Sequence, residues 1–467
     1  MRLLNGSLTN ALRDIDRAIL TLAAISFISQ TGVSIMLPLL PIFAIQLGAS
    51  PRELGLMVSI FAVTVTVGQL GSGVLSRRIS PRRQLPLGQA AYAAANFLIA
   101  TAQSAIPLIA FRGMAGFGGG LSIIAERLYV ARVADRARLA FTNGILSAAG
   151  AAGSVTGPVI GGVLALADLR IPFVVVGITA LAAGAAAVLF LPAEPDVPSA
   201  GGPASSPASS IAVANVIDQQ PIVIATRRAR AIARASAAQP LVALALWNLG
   251  FNAAFGGWIT TFAPFAKDEL GMPINQVTLI FAMFGLGSIL LGPWLSRIAD
   301  RTGRRRMIAV GSILVVAHLG SLIAHASVAV IFGTAIAAGG GLAAAQSSWF
   351  ALLTLATDGG RRGRSFGLVT ALSNLGVVVG ATLASEIWQD VGIDRALLVA
   401  AGFMVLAGIS LALVREPPST LDLPPEAQEA QEAQPPPEAQ EAPEAPDRPP
   451  EAQVPPEAPQ DRAPEST

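Results

Sequence analysis

Cysteine is absent from the 467 residues. No disulfide framework, thiolate nucleophile or cysteine metal site is therefore available to this chain. Charge is also scarce. Only 13% of residues are charged, and a single lysine stands among the 31 basic residues. A soluble protein of this length carries roughly 25%. Enzymatic signatures are missing: there is no His-Glu-x-x-His, no phosphate-binding loop and no Gly-x-Ser-x-Gly. The apolar–polar alternation of a membrane β-barrel is missing as well. A cleaved signal peptide is not expected. Arg13, Asp14, Asp16 and Arg17 precede the first apolar run, and that run is too long for a signal core.

What the chain has instead is apolar length. Hydrophobic residues make up 53% of it. Stretches near the ~20 residues needed to cross a bilayer recur twelve times, at 18–47, 51–75, 84–102, 106–129, 140–167, 171–191, 240–265, 274–295, 307–325, 328–355, 366–386 and 395–414. With the amino terminus placed in the cytoplasm, the outer loops hold only Arg52, Arg170, Lys267 and Arg395, and Arg112 lies inside a span. Every other basic residue falls on the inner side, so the positive-inside rule predicts that both termini are cytoplasmic.

The pattern is written twice. Gly144, Gly153 and Gly157 recur 223 residues later as Gly367, Gly376 and Gly380. With the same offset Leu47-Gly48 maps onto Leu270-Gly271, and Arg82-Arg83 onto Arg305-Arg306. Gly118-Gly119-Gly120-Leu121 recurs as Gly339-Gly340-Gly341-Leu342, offset by 221. Two related bundles with a substrate site between them are a common transporter plan. The expected fold is all-α and integral to the membrane, with twelve transmembrane helices in two six-helix repeats around a central cavity. A cytoplasmic amino terminus (1–17) precedes the first bundle (18–191). A cytoplasmic linker (192–239) leads to the second bundle (240–414) and a tail (415–467).

The linker starts in Pro/Ala/Ser and ends in Arg227, Arg228, Arg230 and Arg234. That basic run is either one more positive-inside signal or a short helix on the inner membrane surface. The tail consists of Pro/Glu/Ala/Gln repeats, which cannot bury enough apolar surface to fold, so disorder is expected there.

Two loops carry a recognisable motif. The loop after the second span includes Gly73, Leu75, Arg77, Arg78, Ser80, Arg82 and Arg83. The loop after the eighth includes Asp300, Arg301, Gly303, Arg304, Arg305 and Arg306. A loop of this kind turns sharply between two helix ends, which glycine permits, and its acid can cap a helix amino terminus. Both resemble the Gly-x-Leu-x-Asp-Arg-x-Gly-Arg-Arg signature of the major facilitator superfamily. Arg77 stands where the family has Asp, and Ser80 where it has Gly. The fifth span carries Gly144, Gly153, Gly157, Pro158, Gly161 and Gly162. It resembles the antiporter signature of the drug:proton branch. Its glycines allow close helix approach, and its proline bends the span. The eleventh span repeats the spaced glycines but has Ala381 in place of the proline.

Arg112 lies six residues into the fourth span, ~9 Å deep. A cation at that depth needs a wet cavity or partners, which makes it a functional candidate. Its surroundings resemble the family's Arg-x-x-Gln-Gly element, with Ala115 in place of Gln. Family geometry implies Gln30 and Asn96 as neighbours. Glu126 lies ~21 Å further along, near the cytoplasmic end. It is read as a latch partner of Arg77 or Arg78, or as a proton carrier. No acid falls near the middle of any span. The resemblance also implies a cavity lined by Gln30, Gln69, Trp247, Asn248, Asn252, Phe281, Phe284, Gln346, Trp349 and Asn374. Span nine is peripheral in the family, so His318 and His325 are read as structural or interfacial.

The resemblance implies a non-enzymatic secondary transporter in a bacterial inner membrane. It would export a small amphipathic or lipophilic compound by alternating access, drawing on the proton gradient. Substrate, protons and lipid are the expected partners of a monomer, with no cofactor, metal or nucleic acid. An uncoupled carrier of a neutral metabolite and a non-transporting scaffold are the alternatives.

Overall fold

The computed structural model describes residues 17–76, 78–133, 139–192, 227–355 and 362–411. These lie within one compact unit, form fourteen helices and contain no strand. In the first half the helices are α1 (Arg17–Met36), α2 (Leu39–Gln46), α3 (Pro51–Leu75), α4 (Pro81–Thr101), α5 (Ala105–Val133), α6 (Leu139–Ala165) and α7 (Ile171–Phe190). In the second half they are α8 (Arg227–Asp268), α9 (Ile274–Leu290), α10 (Gly292–Thr302), α11 (Arg304–Ile323), α12 (Val328–Leu355), α13 (Arg362–Val391) and α14 (Ile393–Ser410). The expected tail and most of the expected linker lie outside the described residues. The basic run that ends the linker forms the opening turns of α8, which continues unbroken through Pro240.

Local signals explain the boundaries. Ser50 and Glu53 form a reciprocal capping box at the start of α3, with Pro51 in the first turn. Gly48 (φ +80°) and its repeat partner Gly271 (φ +62°) both take left-handed conformations after α2 and α8. A side chain at either position would be strained, so the repeated Leu-Gly is a turn requirement. The two arginine-rich loops differ in the same way. Gly303 turns at φ +101° between α10 and α11, whereas Ser80 enters α4 from an ordinary φ of −60°. The first loop therefore needs no glycine where the second has one.

Among the described residues, nine helices are long and apolar enough to span a membrane, and the pair α9/α10, bent by 47°, makes ten. The other two expected spans, α4 and α13, are 21 and 30 residues long but more polar. In α4 the polarity is absorbed by neighbours. Ser72 donates to Gln84 (2.8 Å), Gln84 donates to the Ile79 carbonyl (2.7 Å), and Gln89 donates to Ser29 (2.9 Å). Large apolar side chains such as Leu189, Phe190, Ile313 and Leu406 stay exposed on the helix surfaces, as lipid contact requires.

Packing repeats as the sequence does. In the first half α1 packs on α6 and α7, α3 on α5, and α4 on α5 and α7. In the second half α8 packs on α13 and α14, α9 on α12, and α11 on α12 and α14. The spaced glycines make the closest of these contacts possible. A Cβ on Gly157 would lie 2.6 Å from the Thr31 carbonyl oxygen of α1, and one on Gly376 would lie 2.5 Å from the Leu249 carbonyl oxygen of α8. The halves meet along two seams, α3 with α13 and α6 with α9.

Candidate functional site

A cavity of about 240 Å³ opens between the halves. The first half supplies Gln30 and Ser34 from α1, Leu37 just after it, and Ser154 and Pro158 from α6. The second half supplies most of the wall, from α8, α9, α11, α12 and α14. Pro158 sits on this wall, so the residue that removes a helix hydrogen bond from α6 does so beside the cavity. The aromatic part centres on Trp258. Its ring centroid lies 4.8 Å from Phe281, 5.1 Å from Phe262, 5.5 Å from Phe284 and 6.0 Å from Phe255. Apolar walls with few polar atoms suit an amphipathic solute. Of the residues expected on the lining, Gln30, Phe281 and Phe284 are there. Gln30 donates to Ser34 at 3.4 Å.

A second polar locus is buried within the first half. Arg112 is 6% exposed. Its guanidinium carbon lies 3.6 Å from the Phe61 ring centroid, and Nη1 donates to Met36 Sδ at 3.4 Å. Asn96 Nδ2 donates to the Tyr92 carbonyl at 2.8 Å. Three atoms here, Arg112 Nε, Tyr92 Oη and Asn96 Oδ1, are buried without a hydrogen-bond partner. No carboxylate is paired with Arg112 among the described residues. A guanidinium held this way is electrostatically unfinished.

The sequence profile described as Major Facilitator Superfamily matches residues 22–264 and 246–452. The chain belongs to the Major Facilitator Superfamily. It is accordingly a multi-pass membrane transporter rather than an enzyme. It is 23% identical over 387 residues to an uncharacterised MFS-type transporter of Methanocaldococcus jannaschii, covering 82% of this chain and 94% of the relative. The Probable sulfoacetate transporter SauU of Cupriavidus necator is 29% identical over 313 residues, covering 64% of this chain and 68% of that protein. The Quinolone resistance protein NorA of Staphylococcus aureus matches over a shorter stretch, with 26% identity over 151 residues and 32% and 39% of the two chains covered. In fold the chain is similar to the solved nucleoside transporter NupG. The TM-score is 0.70 at 12% identity, over 85% of this chain and all of that one.

The remaining residues singled out in this transporter fall into three places. The first is the core of the second half. Trp247 stacks on Phe251 (5.4 Å) and donates to Ser312 (3.2 Å), and Trp349 donates to the Leu244 carbonyl (2.9 Å). Asn248 donates to Ser373 (2.5 Å), and Asn252 donates to the Asn248 carbonyl (2.7 Å). Gln346 is exposed. None of these five lines the cavity described above.

The second place is the α3/α13 seam. Asn374 donates to Thr66 at 2.8 Å, Ser59 and Thr382 hydrogen-bond at 3.3 Å, and Arg52 pairs with Glu386 (2.8 Å) and Asp390 (3.2 Å). The ion pairs clamp the halves at the face opposite the arginine-rich loops. The third place is the arginine-rich face itself. Glu126 accepts a hydrogen bond from Ser26 of α1, and no ion pair joins it to Arg78 among the described residues. Arg77 and the Asp300 side chain lie outside the description. Arg82 reaches the Val188 carbonyl at 3.4 Å, and Arg83 follows it in the first turn of α4. Arg301 closes α10, while Arg304 and Arg305 open α11.

Most of the cavity wall is not legible in the sequence, and its two polar-ringed members illustrate why. His318 and Trp258 line it, yet span nine was expected to be peripheral and Trp258 was not singled out. One signal could have found them. With the 223-residue offset, His318 falls opposite Ala95 and Trp258 opposite Ile35, so each marks a place where the two repeats differ in chemistry.

Proposed function

We propose that this transporter exports a small amphipathic compound in exchange for protons, by alternating access in a bacterial inner membrane with both termini cytoplasmic. The observation that carries this reading is the aromatic cavity lined by both halves, with Pro158 of the glycine-rich α6 on its wall. Such walls bind flat, partly apolar solutes with little demand for charge pairing. The likeness over a third of the chain to NorA, named a quinolone resistance protein, supports a drug-like solute. The clamp of Arg52 on Glu386 and Asp390 closes one face. Export then requires a second state in which that clamp parts, and a solute can drive the change only through different affinity for the two states. Glu126, set between α1 and α5 by Ser26, is the carboxylate assigned to the proton.

A second reading rests on Arg112. A buried guanidinium without a carboxylate fits the carriage of a small organic anion, the class named for the SauU relative. One experiment separates the two. Purified protein in proteoliposomes is tested for proton release driven by lipophilic cations, neutral aromatics and organic anions. The efflux reading expects release with the first two classes, reduced at least tenfold in Glu126→Gln. Flux of a neutral compound with no proton movement would replace antiport with facilitated diffusion. Flux confined to anions, lost in Arg112→Ala, would install the second reading.

A further inference from the structure

The span formed by α9 and α10 is bent by 47°, whereas its repeat counterpart α3 runs unbroken from Pro51 to Leu75. The break falls at Leu291, and Pro293 stands in the first turn of α10. One side of α10 is buried. Ala299 is 3% exposed and packs with Met307 of α11 and Ala344 of α12, with Leu295 and Ile298 against them. Ser296 and Ser347 of α12 hydrogen-bond at 3.0 Å.

The opposite side carries Trp294, Arg297 and Arg301, all three exposed, with Trp294 at 59%. Spacings of three and four residues put them on one helix face. At ~1.5 Å of rise per residue, the arginines lie ~4.5 and ~10.5 Å beyond the indole, toward the arginine-rich side. No ion pair joins either arginine among the described residues. Arg306 adds a guanidinium at the tip of α10, where it donates to the Thr302 carbonyl at 3.3 Å. From Arg297 to Arg306 the sequence holds five arginines and one acid, Asp300.

The repeat separates this face from a general demand of topology. With the 223-residue offset Arg301 falls opposite Arg78, but Trp294 falls opposite Gly71 and Arg297 opposite Val74. Both loops satisfy the positive-inside rule. That rule does not account for an indole and a further arginine in one copy alone. An indole followed by two arginines matches the order of groups in a phospholipid, acyl chain first and phosphate after it. Indoles settle at the headgroup level of a bilayer, and guanidinium groups bind phosphate oxygens in pairs.

We infer that the Trp294–Arg297–Arg301 face of α10 is a docking site for an anionic phospholipid headgroup, present in the second half and absent from the first. It holds α10 at the membrane surface just beyond the bend. None of the three residues lines the cavity, so the site stands independently of the efflux reading.

The test is mass spectrometry of lipid retained by the purified full chain from detergent micelles holding equal phosphatidylglycerol and phosphatidylcholine. Wild type is expected to retain phosphatidylglycerol preferentially. Arg297→Gln/Arg301→Gln lowers that preference roughly fivefold or more, the worth of one arginine beside an anionic surface. Arg83→Gln/Arg127→Gln removes the same charge from exposed positions of the first half and leaves the preference unchanged. A second readout locates the lipid. Phosphatidylglycerol brominated near the headgroup end of its acyl chains quenches part of the tryptophan emission, and Trp294→Phe removes that part. The other tryptophans are buried or half-buried. Should the α10 double variant lose its monodisperse elution, Arg297→Gln alone takes its place with the same expectation. Equal loss in the two double variants would reduce the preference to net charge and overturn the inference. So would an absent preference in wild type, or quenching that persists in Trp294→Phe. Displacement of phosphatidylglycerol by excess inorganic phosphate would mark a soluble-anion site and overturn it as well.

Discussion

The two halves share a backbone plan and differ in where they hide their polar groups. In the first half the buried charge is Arg112, pressed on Phe61 and bonded to Met36. In the second half the outliers are His318 and Trp258, on the cavity wall. The seams differ in the same way. The α3/α13 seam is joined by ion pairs and hydrogen bonds. At the α6/α9 seam side chains packed on glycines take their place, with Thr278 against Gly162 and Val155 against Gly285. A repeat thus supplies a symmetric frame, and these unpaired polar groups lie where the copies have diverged. Packing explains the division. Glycine contacts at carbonyl distance tolerate no extra atom, so both copies keep them, whereas a side chain beside a cavity can change without moving a helix.

The largest effects should come from breaking the shared frame. Gly157→Leu and Gly380→Leu each force a side chain into the backbone of a facing helix, at Thr31 and Ala253 respectively. Both should abolish the folded protein as judged by size-exclusion elution. Gly144→Leu, with nothing within 4 Å of its Cβ, should leave elution unchanged. Equal damage in the two halves would confirm that the frame is symmetric. A mild effect at Gly380 would break that symmetry.

Next comes the divergent buried charge. Arg112→Ala should leave a folded protein and lower transport at least tenfold. Met36 and Phe61 lose only packing, while the cationic centre disappears. Transport within twofold of wild type would reduce Arg112 to a structural role.

Smaller effects are expected at the seams. Asn374→Ala removes one hydrogen bond across α3/α13 and should cost about 1 kcal/mol in thermal stability. Thr278→Val, whose hydroxyl bonds only within its own helix on α9, should cost less. The smallest equilibrium effect belongs to the half-exposed clamp, since exposed ion pairs contribute little to stability. Its expected effect is on the rate of opening. Arg52→Ala should raise labelling of a Ser385→Cys reporter several-fold in low salt and much less at ~1 M salt, where the screening length is ~3 Å. The chain has no native cysteine to confuse the reading. Salt-independent labelling would show that the clamp does not gate the face.

Much of the site was visible before folding, and some of it was not, for definite reasons. The glycine repeat, Pro158 and Arg112 stand out because glycine spacing, a mid-span proline and a mid-span charge are local features with one dominant physical meaning in a bilayer. Trp247, Asn248, Asn252 and Trp349 look equally promising in the sequence. They prove to be engaged with Ser312, Ser373, Asn248 and the Leu244 carbonyl, and none of them lies on the cavity wall. His318 looks structural because helix order alone does not reveal that α11 brings it to the cavity wall between α9 and α12.

The sequence by itself determined that this chain is a duplicated, helical, membrane-embedded transporter. Hydropathy over span length, glycine spacing and the distribution of arginines act locally and survive any rearrangement of the helices. Only the tertiary structure decided which polar atoms are spent and which are left over. Hydrogen bonds between helices depend on rotation and depth, and neither is written in the order of residues along one helix.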